Sequence, residues 1–208
     1  METRRLRLAA ADLYDADLCE EEFGDTYTIQ LDGEWTNDDL KSLGEKLKEI
    51  TGKHITLDMA NATGITTIEE KTFADCANLA SVTIPASVTY IGSEAFYNCR
   101  SLAAVEIPEG VTSIGDAAFR GCASLKAVTI PEGVTSIRYS VFEGCTSLAS
   151  VTFADTSNWY DIESHNYTGD NHPIDVTNPA TNANNLKSYP SKRYDKHLIM
   201  DPFFDYCQ

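Results

Sequence analysis

One segment of the sequence, VTYIGSEAFYNCRSLAAVEIP at residues 88–108, returns 23 residues later as VTSIGDAAFRGCASLKAVTIP at residues 111–131. The spacing continues on both sides, so four consecutive units carry phenylalanine, cysteine, leucine and valine at matching positions. An invariant period of this length indicates a repeat architecture in which every unit contributes the same side chains to one core. The predicted core positions are Phe73, Cys76, Leu79, Val82, Ile84, Phe96, Cys99, Leu102, Val105, Ile107, Phe119, Cys122, Leu125, Val128, Ile130, Phe142, Cys145, Leu148 and Val151.

Each unit contains a strand, a stop and a turn. In the pattern L-x-x-V-x-I the branched residues alternate with period 2, which predicts a strand with one apolar face. Proline follows, as at Pro85, and belongs at a strand end because it has no N–H to extend a ladder. The dipeptides Glu109-Gly110 and Glu132-Gly133 predict a turn that favours positive φ. The A-F-x-x-C pattern predicts one helical turn, since Phe96 and Cys99 are three residues apart.

Such units cannot bury an apolar face alone, so they are expected to stack into a solenoid with parallel strands about 4.8 Å apart. The flanking segments are expected to cap the open ends. Upstream, Tyr27–Leu31 and His54–Met59 alternate like strands, and helical spacing begins at Asn37, a candidate N-cap. The predicted organisation is an acidic flexible tail at 1–25, an N-terminal cap at 26–64, repeats at 65–156, an irregular C-terminal cap at 157–190 and a tail at 191–208.

The repeat pattern resembles the BspA-like, or treponemal-type, leucine-rich repeats. The residues that carry the resemblance are Val88, Ile91, Gly92, Ala95, Phe96, Cys99, Leu102, Val105, Ile107 and Pro108, with their equivalents 23 residues on. The resemblance implies an α/β leucine-rich-repeat solenoid without a defining enzyme activity. It also implies a secreted or surface-attached protein of a host-associated organism, with a role in adhesion to host matrix or to other cells.

Composition excludes several function classes. The chain has 208 residues, of which 42% are hydrophobic, so it is long and apolar enough to fold around its own core. Its 16 basic and 32 acidic residues give a net charge of −16, which disfavours nucleic acid and anionic lipid as partners. No apolar run approaches the roughly 18 residues of a membrane span, and no export signal is evident. Membrane insertion is therefore not expected, and a cytoplasmic location stays open beside an extracellular one.

The chemistry-bearing residues offer two candidate sites, of which neither is favoured over a structural role. A 23-residue period puts one thiol in each layer, whereas zinc sites gather cysteines through short C-x-x-C spacings, so free buried thiols are expected. In the C-terminal cap, His165 and His172 could share a site with a nearby aspartate, but no histidine stands in a motif with a nucleophile. We therefore predict no catalytic residue, cofactor or metal, and keep an enzyme or metal site in this cap as the weaker alternative.

The strands are expected to present small outward side chains that lack the aromatic and arginine anchors of binding hot spots. The candidate interaction surface combines four strand residues with four residues near the turns: Thr83, Glu106, Thr129, Thr152, Tyr97, Arg120, Arg138 and Tyr139. The predicted function is a non-catalytic protein-interaction or adhesion module of a cell-surface or secreted protein, with a host-matrix or cell-envelope protein as partner. The alternative is an intracellular scaffold or secreted effector with the same fold.

Overall fold

The computed structural model describes residues 4–14, 16, 18, 25–163, 172–173, 175–188 and 192–195. Short strands dominate, with one helix near each end. The elements are β1 (Arg4–Leu8), a 3-10 helix (Ala10–Asp12), β2 (Thr26–Glu34), α1 (Asn37–Glu49), β3 (His54–Thr63), β4 (Thr67–Ile68), β5 (Leu79–Thr83), β6 (Tyr90–Ile91), β7 (Ala104–Glu106), β8 (Ser113–Ile114), β9 (Ala127–Ile130), β10 (Ser136–Ile137), β11 (Ser150–Phe153), β12 (Tyr160–Glu163), β13 (His172–Pro173), α2 (Pro179–Ser188) and β14 (Lys192–Asp195).

The repeats stack as parallel strands, which confirms the predicted solenoid. The first sheet has the strand order β1-β2-β3-β5-β7, and β9 and β11 pair with each other further along the stack. Residues one period apart are partners, as Val82 with Val105 and Val128 with Val151. A second sheet, β13-β12-β14-β10-β8-β6-β4, is built from the two-residue strand of each layer and from the C-terminal strands. Each layer therefore contributes one strand to each side of the core.

The segment between the two sheets is a series of turns, and the predicted helical turn at A-F-x-x-C is wrong. Two positions in every layer have positive φ: Lys71, Glu94, Ala117 and Ser140, then Asp75, Asn98, Gly121 and Gly144. These left-handed residues break the helical path, so alternate N–H groups point at the next layer. The Phe96 N–H donates to the Ala118 carbonyl at 2.8 Å, whereas the Cys99 N–H closes a turn on the Phe96 carbonyl at 3.3 Å.

The glycines that follow the strands serve close packing, so the predicted positive φ at the Glu-Gly turns is also wrong. Neither Gly110 nor Gly133 has a positive φ. A Cβ on Gly133 would lie 2.5 Å from the Glu109 carbonyl oxygen of the preceding layer. In the first unit Ser87 takes this place, and its hydroxyl donates to the Ile65 carbonyl at 2.6 Å.

The core is continuous through the stack. The phenylalanine rings form a ladder, with centroids 5.5 Å apart from Phe73 to Phe96, 5.3 Å from Phe96 to Phe119 and 5.7 Å from Phe119 to Phe142. All of the predicted core positions are buried except Val105, which is partly buried against the same cluster. Each layer thus covers the apolar face of its neighbour.

The N-terminal end is closed by β2, α1 and β3. Helix α1 begins with a capping box in which Thr36, not the predicted Asn37, is the N-cap and Asp39 completes the box. The Asn37 side chain instead donates to Glu69 Oε1 at 2.8 Å and so joins the helix to the first layer. Strand β3 continues to Thr63, beyond the strand-like segment that the sequence predicted to end at Met59.

Residues 4–14 are ordered, so the prediction of a flexible tail over 1–25 is wrong for this part. Strand β1 pairs in parallel with β2, from Arg4 with Tyr27 to Leu8 with Leu31. Leu8, Leu13 and Leu18 are buried in the core cluster. The acidic composition of the segment led to the prediction of a flexible tail. Burial of the three leucines supplies the free energy that orders the segment.

The C-terminal end is more regular than predicted. Helix α2 packs on β11, and the Asn182 side-chain amide donates to the Val151 carbonyl at 2.9 Å. Strand β14 falls in the predicted tail at 191–208 but pairs antiparallel with β10 and β12. Trp159 is buried against Phe153, with ring centroids 4.9 Å apart. A helix and paired strands therefore close this end of the core.

Candidate interaction surface

The outward side chains of the first sheet form two rows across the layers. The register pairs Arg7 with Gln30, Gln30 with Asp58, Asp58 with Thr83 and Thr83 with Glu106. Thr129 and Thr152 pair with each other, in the first and second layers after that of Glu106. We call these residues the threonine row. The neighbouring serine-alanine row contains Arg5, Thr28, Thr56, Ser81, Ala104, Ala127 and Ser150.

The rows form a smooth, weakly acidic face. From β3 to β11 their ionised side chains are Asp58 and Glu106, and the remaining ones are serine, threonine and alanine. Glu106, Thr129 and Thr152 are exposed, and Thr83 is half-buried. A face of short side chains allows another backbone to approach closely, while hydroxyl groups can donate and accept hydrogen bonds along its whole length.

The other four predicted surface residues lie in the turns between the sheets. The Arg120 guanidinium contacts Glu143 of the next layer at 3.1 Å, and Arg138 contacts Asp116 of the preceding layer at 3.3 Å. The Tyr139 N–H donates to Asp116 at 3.1 Å. The structure therefore places the eight residues in two groups, one on the strands and one on the turns. Asp116 was missed because its partners are 22 and 23 residues away.

The ion pairs of the turns join neighbouring layers but contribute little stability. The Arg120 and Glu143 side chains are 46% and 27% exposed, and those of Arg138 and Asp116 are 39% and 44% exposed. Exposed pairs of this kind are worth about 0.2–1 kcal/mol. Replacement of these charged residues is therefore expected to cost the fold little.

The cysteine column is part of the core. The thiols of Cys99, Cys122 and Cys145 each donate to the phenylalanine carbonyl of the preceding layer at 3.1 Å. Burial raises the pKa of Cys76 to about 12 and that of Cys99 well above its usual range. For Cys122 a hydrogen bond with Cys145, and then burial, raise the pKa. A nucleophilic or metal-binding cysteine needs the thiolate, which these surroundings disfavour.

A cleft that the sequence did not indicate lies beside the end of α1. It has a volume of about 370 Å³, and its lining includes Lys48, Lys53, His54, Asn78 and Ser101. The Asn78 side-chain amide donates to the Leu47 and Ile50 carbonyls at 2.7 and 3.1 Å. Asn78 therefore terminates the helix, while the Lys48 ammonium is 2.7 Å from Glu45. These contacts give Asn78 and Lys48 structural roles.

The described residues contain no cluster of three or more histidine, cysteine or carboxylate side chains suited to a metal ion. Of the alternative site in the C-terminal cap, His172 lies in β13, where its backbone pairs with Asp161. His165 lies outside the described residues. Among the helices that are described, none has the length and apolar character needed to cross a bilayer.

A comparison with family models identifies the type of the repeats. The family model for the BspA type leucine-rich repeat region matches residues 54–182, more than half of the chain, with six copies. The sequence period predicts four units within that range, and this number stays a prediction. No curated protein matches the sequence.

The solved structures with similarity to the chain include several bacterial leucine-rich repeat proteins. A leucine-rich cell surface protein from Faecalibacterium prausnitzii is 33% identical over 46% of this chain and 31% of its own, with a TM-score of 0.41. A leucine-rich repeat protein from Bacteroides capillosus is 34% identical over 44% of this chain and 64% of its own, with a TM-score of 0.39. The leucine-rich repeat protein of T. pallidum is 27% identical over 47% of this chain and 57% of its own, with a TM-score of 0.35. The chain therefore spans less than two thirds of the length of each.

The matched residues 54–182 contain the stacked strands, the phenylalanine ladder and the thiol column described above. Leucine-rich repeat proteins generally serve as protein-interaction modules. The chain belongs to the family of BspA type leucine-rich repeat proteins.

Proposed function

We propose that this chain is a non-catalytic protein-interaction or adhesion module of a cell-surface or secreted protein, and that it binds a host-matrix or cell-envelope protein. The observation that carries the proposal is the outward face of the stacked strands β3, β5, β7, β9 and β11. Its two rows cross the layers from β3 to β11 with short polar side chains, which leave the backbone of a partner free to approach.

The aromatic rings and thiols of the repeats make their contacts within the core, which supports a binding role over a catalytic one. The phenylalanines stack on one another, and the thiols donate to backbone carbonyls. An acid or nucleophile for catalysis needs an accessible, activated group. The raised pKa of Cys76 and Cys99, caused by burial, works against this activation.

The test is a binding panel by surface plasmon resonance at physiological salt, with immobilised matrix proteins and a cell-envelope extract. Saturable binding to one component is the expected result. Absence of binding across the panel contradicts the adhesion module and shifts the search to an intracellular partner, which a pull-down from cell lysate would then seek.

Two variants decide which group of residues binds. Thr83→Arg with Thr129→Arg fills the threonine row, and Thr66→Arg with Ala86→Arg adds the same charge at exposed positions outside the two rows. A loss of at least tenfold in affinity for the first pair alone, about 1.4 kcal/mol, places binding on the strands.

Arg120→Glu with Arg138→Glu reverses the charges of the turns, and Arg100→Glu with Lys126→Glu is its matched control at exposed positions. A selective loss for this pair places binding on the turns. Equal affinity for all four variants excludes both groups.

A further inference from the structure

At the N-terminal end of the stack the first sheet ends in an edge strand, β1. Strand β1 is the terminal strand of its sheet and pairs only with β2 among the described strands. In a parallel pair about half of the N–H and C=O groups of an edge strand point away from its neighbour. At the opposite end of the solenoid α2 covers β11, and Asn182 donates to the Val151 carbonyl. Within the described part of the chain, β1 therefore presents unpaired backbone groups at an end of the stack that no helix covers.

The edge strand carries a charge opposite to that of the chain. Its sequence is Arg-Arg-Leu-Arg-Leu, within a chain of net charge −16. Arg5 and Arg7 belong to the two outward rows, and the Arg7 side chain is 71% exposed, with Asp32 3.9 Å away. The two arginines therefore leave a local positive charge at the edge of an otherwise acidic face.

On the inward side of the same strand, the apolar surface of Leu6 and Leu8 is incompletely covered. Leu8 is buried, whereas Leu6 is partly buried against the core cluster. A further strand at this edge would bury the rest of Leu6, at a gain of about 25 cal/mol for each Å² of apolar surface. An added strand is therefore favoured if it places an apolar residue on its inward side and an acidic residue on its outward side.

A second copy of the chain fits this edge poorly. Pairing of two β1 strands would bring Arg5 and Arg7 of one molecule against the arginines of the other, and like charges on paired strands are destabilising. An acidic strand reverses the sign of this interaction. Alternation of side chains along a strand then sets the pattern of the partner.

We propose that the β1 edge binds an extended segment of a partner protein in which acidic and apolar residues alternate, by addition of one strand to the first sheet. The acidic side chains lie opposite Arg5 and Arg7, and the apolar ones cover Leu6. This mode of recognition combines main-chain hydrogen bonds with side-chain selection at alternate positions. The edge lies on β1, whereas the proposed function uses the rows from β3 to β11 and the turns, so either proposal can fail alone.

The test uses the full chain and an acetylated, amidated octapeptide of alternating valine and glutamate. Affinity is measured by isothermal titration calorimetry, and exchange of the β1 amide protons is followed by NMR. We expect saturable binding and slower exchange of amides between residues 4 and 8. The same peptide with two adjacent central nitrogens methylated should not bind, because neither of its edges can then complete the ladder.

Charge exchange gives the protein-side control. Arg5→Glu with Arg7→Glu should weaken binding of the glutamate peptide about tenfold or more, the effect of turning two attractive cross-strand pairs into repulsive ones, and should gain affinity for the valine-lysine octapeptide. Arg100→Glu with Lys126→Glu changes the net charge equally and should change neither affinity.

The gain for the lysine peptide distinguishes a changed edge from a misfolded variant. The proposal is overturned by absence of binding, by binding without protection of the β1 amides, or by equal affinity of the methylated peptide. Sedimentation of the free chain as a dimer with protected β1 amides would overturn it in favour of a second copy.

Discussion

The phenylalanine ladder yields a quantitative prediction about position within the stack. Phe119 is fully buried, and its ring stacks on Phe96 at 5.3 Å and on Phe142 at 5.7 Å. Truncation of a buried phenylalanine to alanine costs about 3–5 kcal/mol. Phe142 stacks on one ring only within the ladder, and an aromatic pair contributes about 0.5–1.5 kcal/mol beyond area burial. Phe119→Ala should therefore destabilise the chain by about 3–5 kcal/mol, and by about one pair energy more than Phe142→Ala.

Urea unfolding followed by far-ultraviolet circular dichroism measures both values, with equal m-values as the check that the same surface is exposed in each variant. Phe119→Leu is the matched control, since it keeps most of the side-chain volume and should cost less than Phe119→Ala. A cost for Phe119→Ala below about 1 kcal/mol would refute the stacked core. Equal costs at the two positions would show that ring stacking adds nothing to burial.

Three further predictions concern pH, capping and close packing. Because burial raises the folded-state pKa of Cys76 to about 12, the stabilisation is complete below the unfolded pKa of about 8.5 and is lost as the pH rises towards 12. Unfolding free energies at pH 8 to 10 should fall less steeply for Cys76→Ala, with a slope difference that rises with pH towards a limit of about 1.4 kcal/mol per pH unit, and equal slopes would contradict this. Thr36→Ala removes the capping box of α1 and should cost about 1 kcal/mol in the same urea assay, whereas Thr36→Ser keeps the hydroxyl and should cost less. Gly133→Ala should lower the melting temperature, because its Cβ would lie 2.5 Å from the Glu109 carbonyl oxygen; Gly52→Ala, where no atom lies within 4 Å of the added Cβ, is the comparison that isolates backbone strain, since Gly52 has φ +71°.

The repeat architecture was predictable because the same pattern of apolar residues occurs several times in the sequence, with a constant spacing. A single Phe-x-x-Cys pattern has little meaning, but the invariant step from Phe73 to Phe142 fixes which residues face the core in every layer. The conformation of the turns was not predictable, because left-handed φ falls on ordinary residues such as Glu94 and Ala117. Inter-layer hydrogen bonds stabilise that conformation, and they exist only once the layers have stacked.

The ends of the chain escaped prediction for a different reason. Strand β1 has five residues, and its pairing partner β2 begins 18 residues after it ends, beyond an acidic segment. Charge patterning correctly showed the acidic composition but not the three leucines that attach the segment to the core. The eight candidate surface residues fall into two groups because neighbouring units in the sequence place them on different parts of the layers. Tyr97 lies in a turn, whereas Thr83 lies on a strand.

Differences between layers carry the specificity of a repeat protein, since the shared residues are committed to the core. At one position of the turns the layers present Ala74, Tyr97, Arg120 and Glu143 in order, and at one position of the threonine row they present Thr83, Glu106, Thr129 and Thr152. The first series changes in size or charge at every step, whereas the second departs from threonine once. Arg120 and Glu143 already neutralise each other at 3.1 Å. The outward face of the stacked strands therefore offers nearly uniform threonine positions with one carboxylate, at Glu106. The turns offer varied side chains whose charges partly neutralise each other. A ligand that requires sequence-specific recognition fits the turns, and an extended ligand of regular structure fits the sheet.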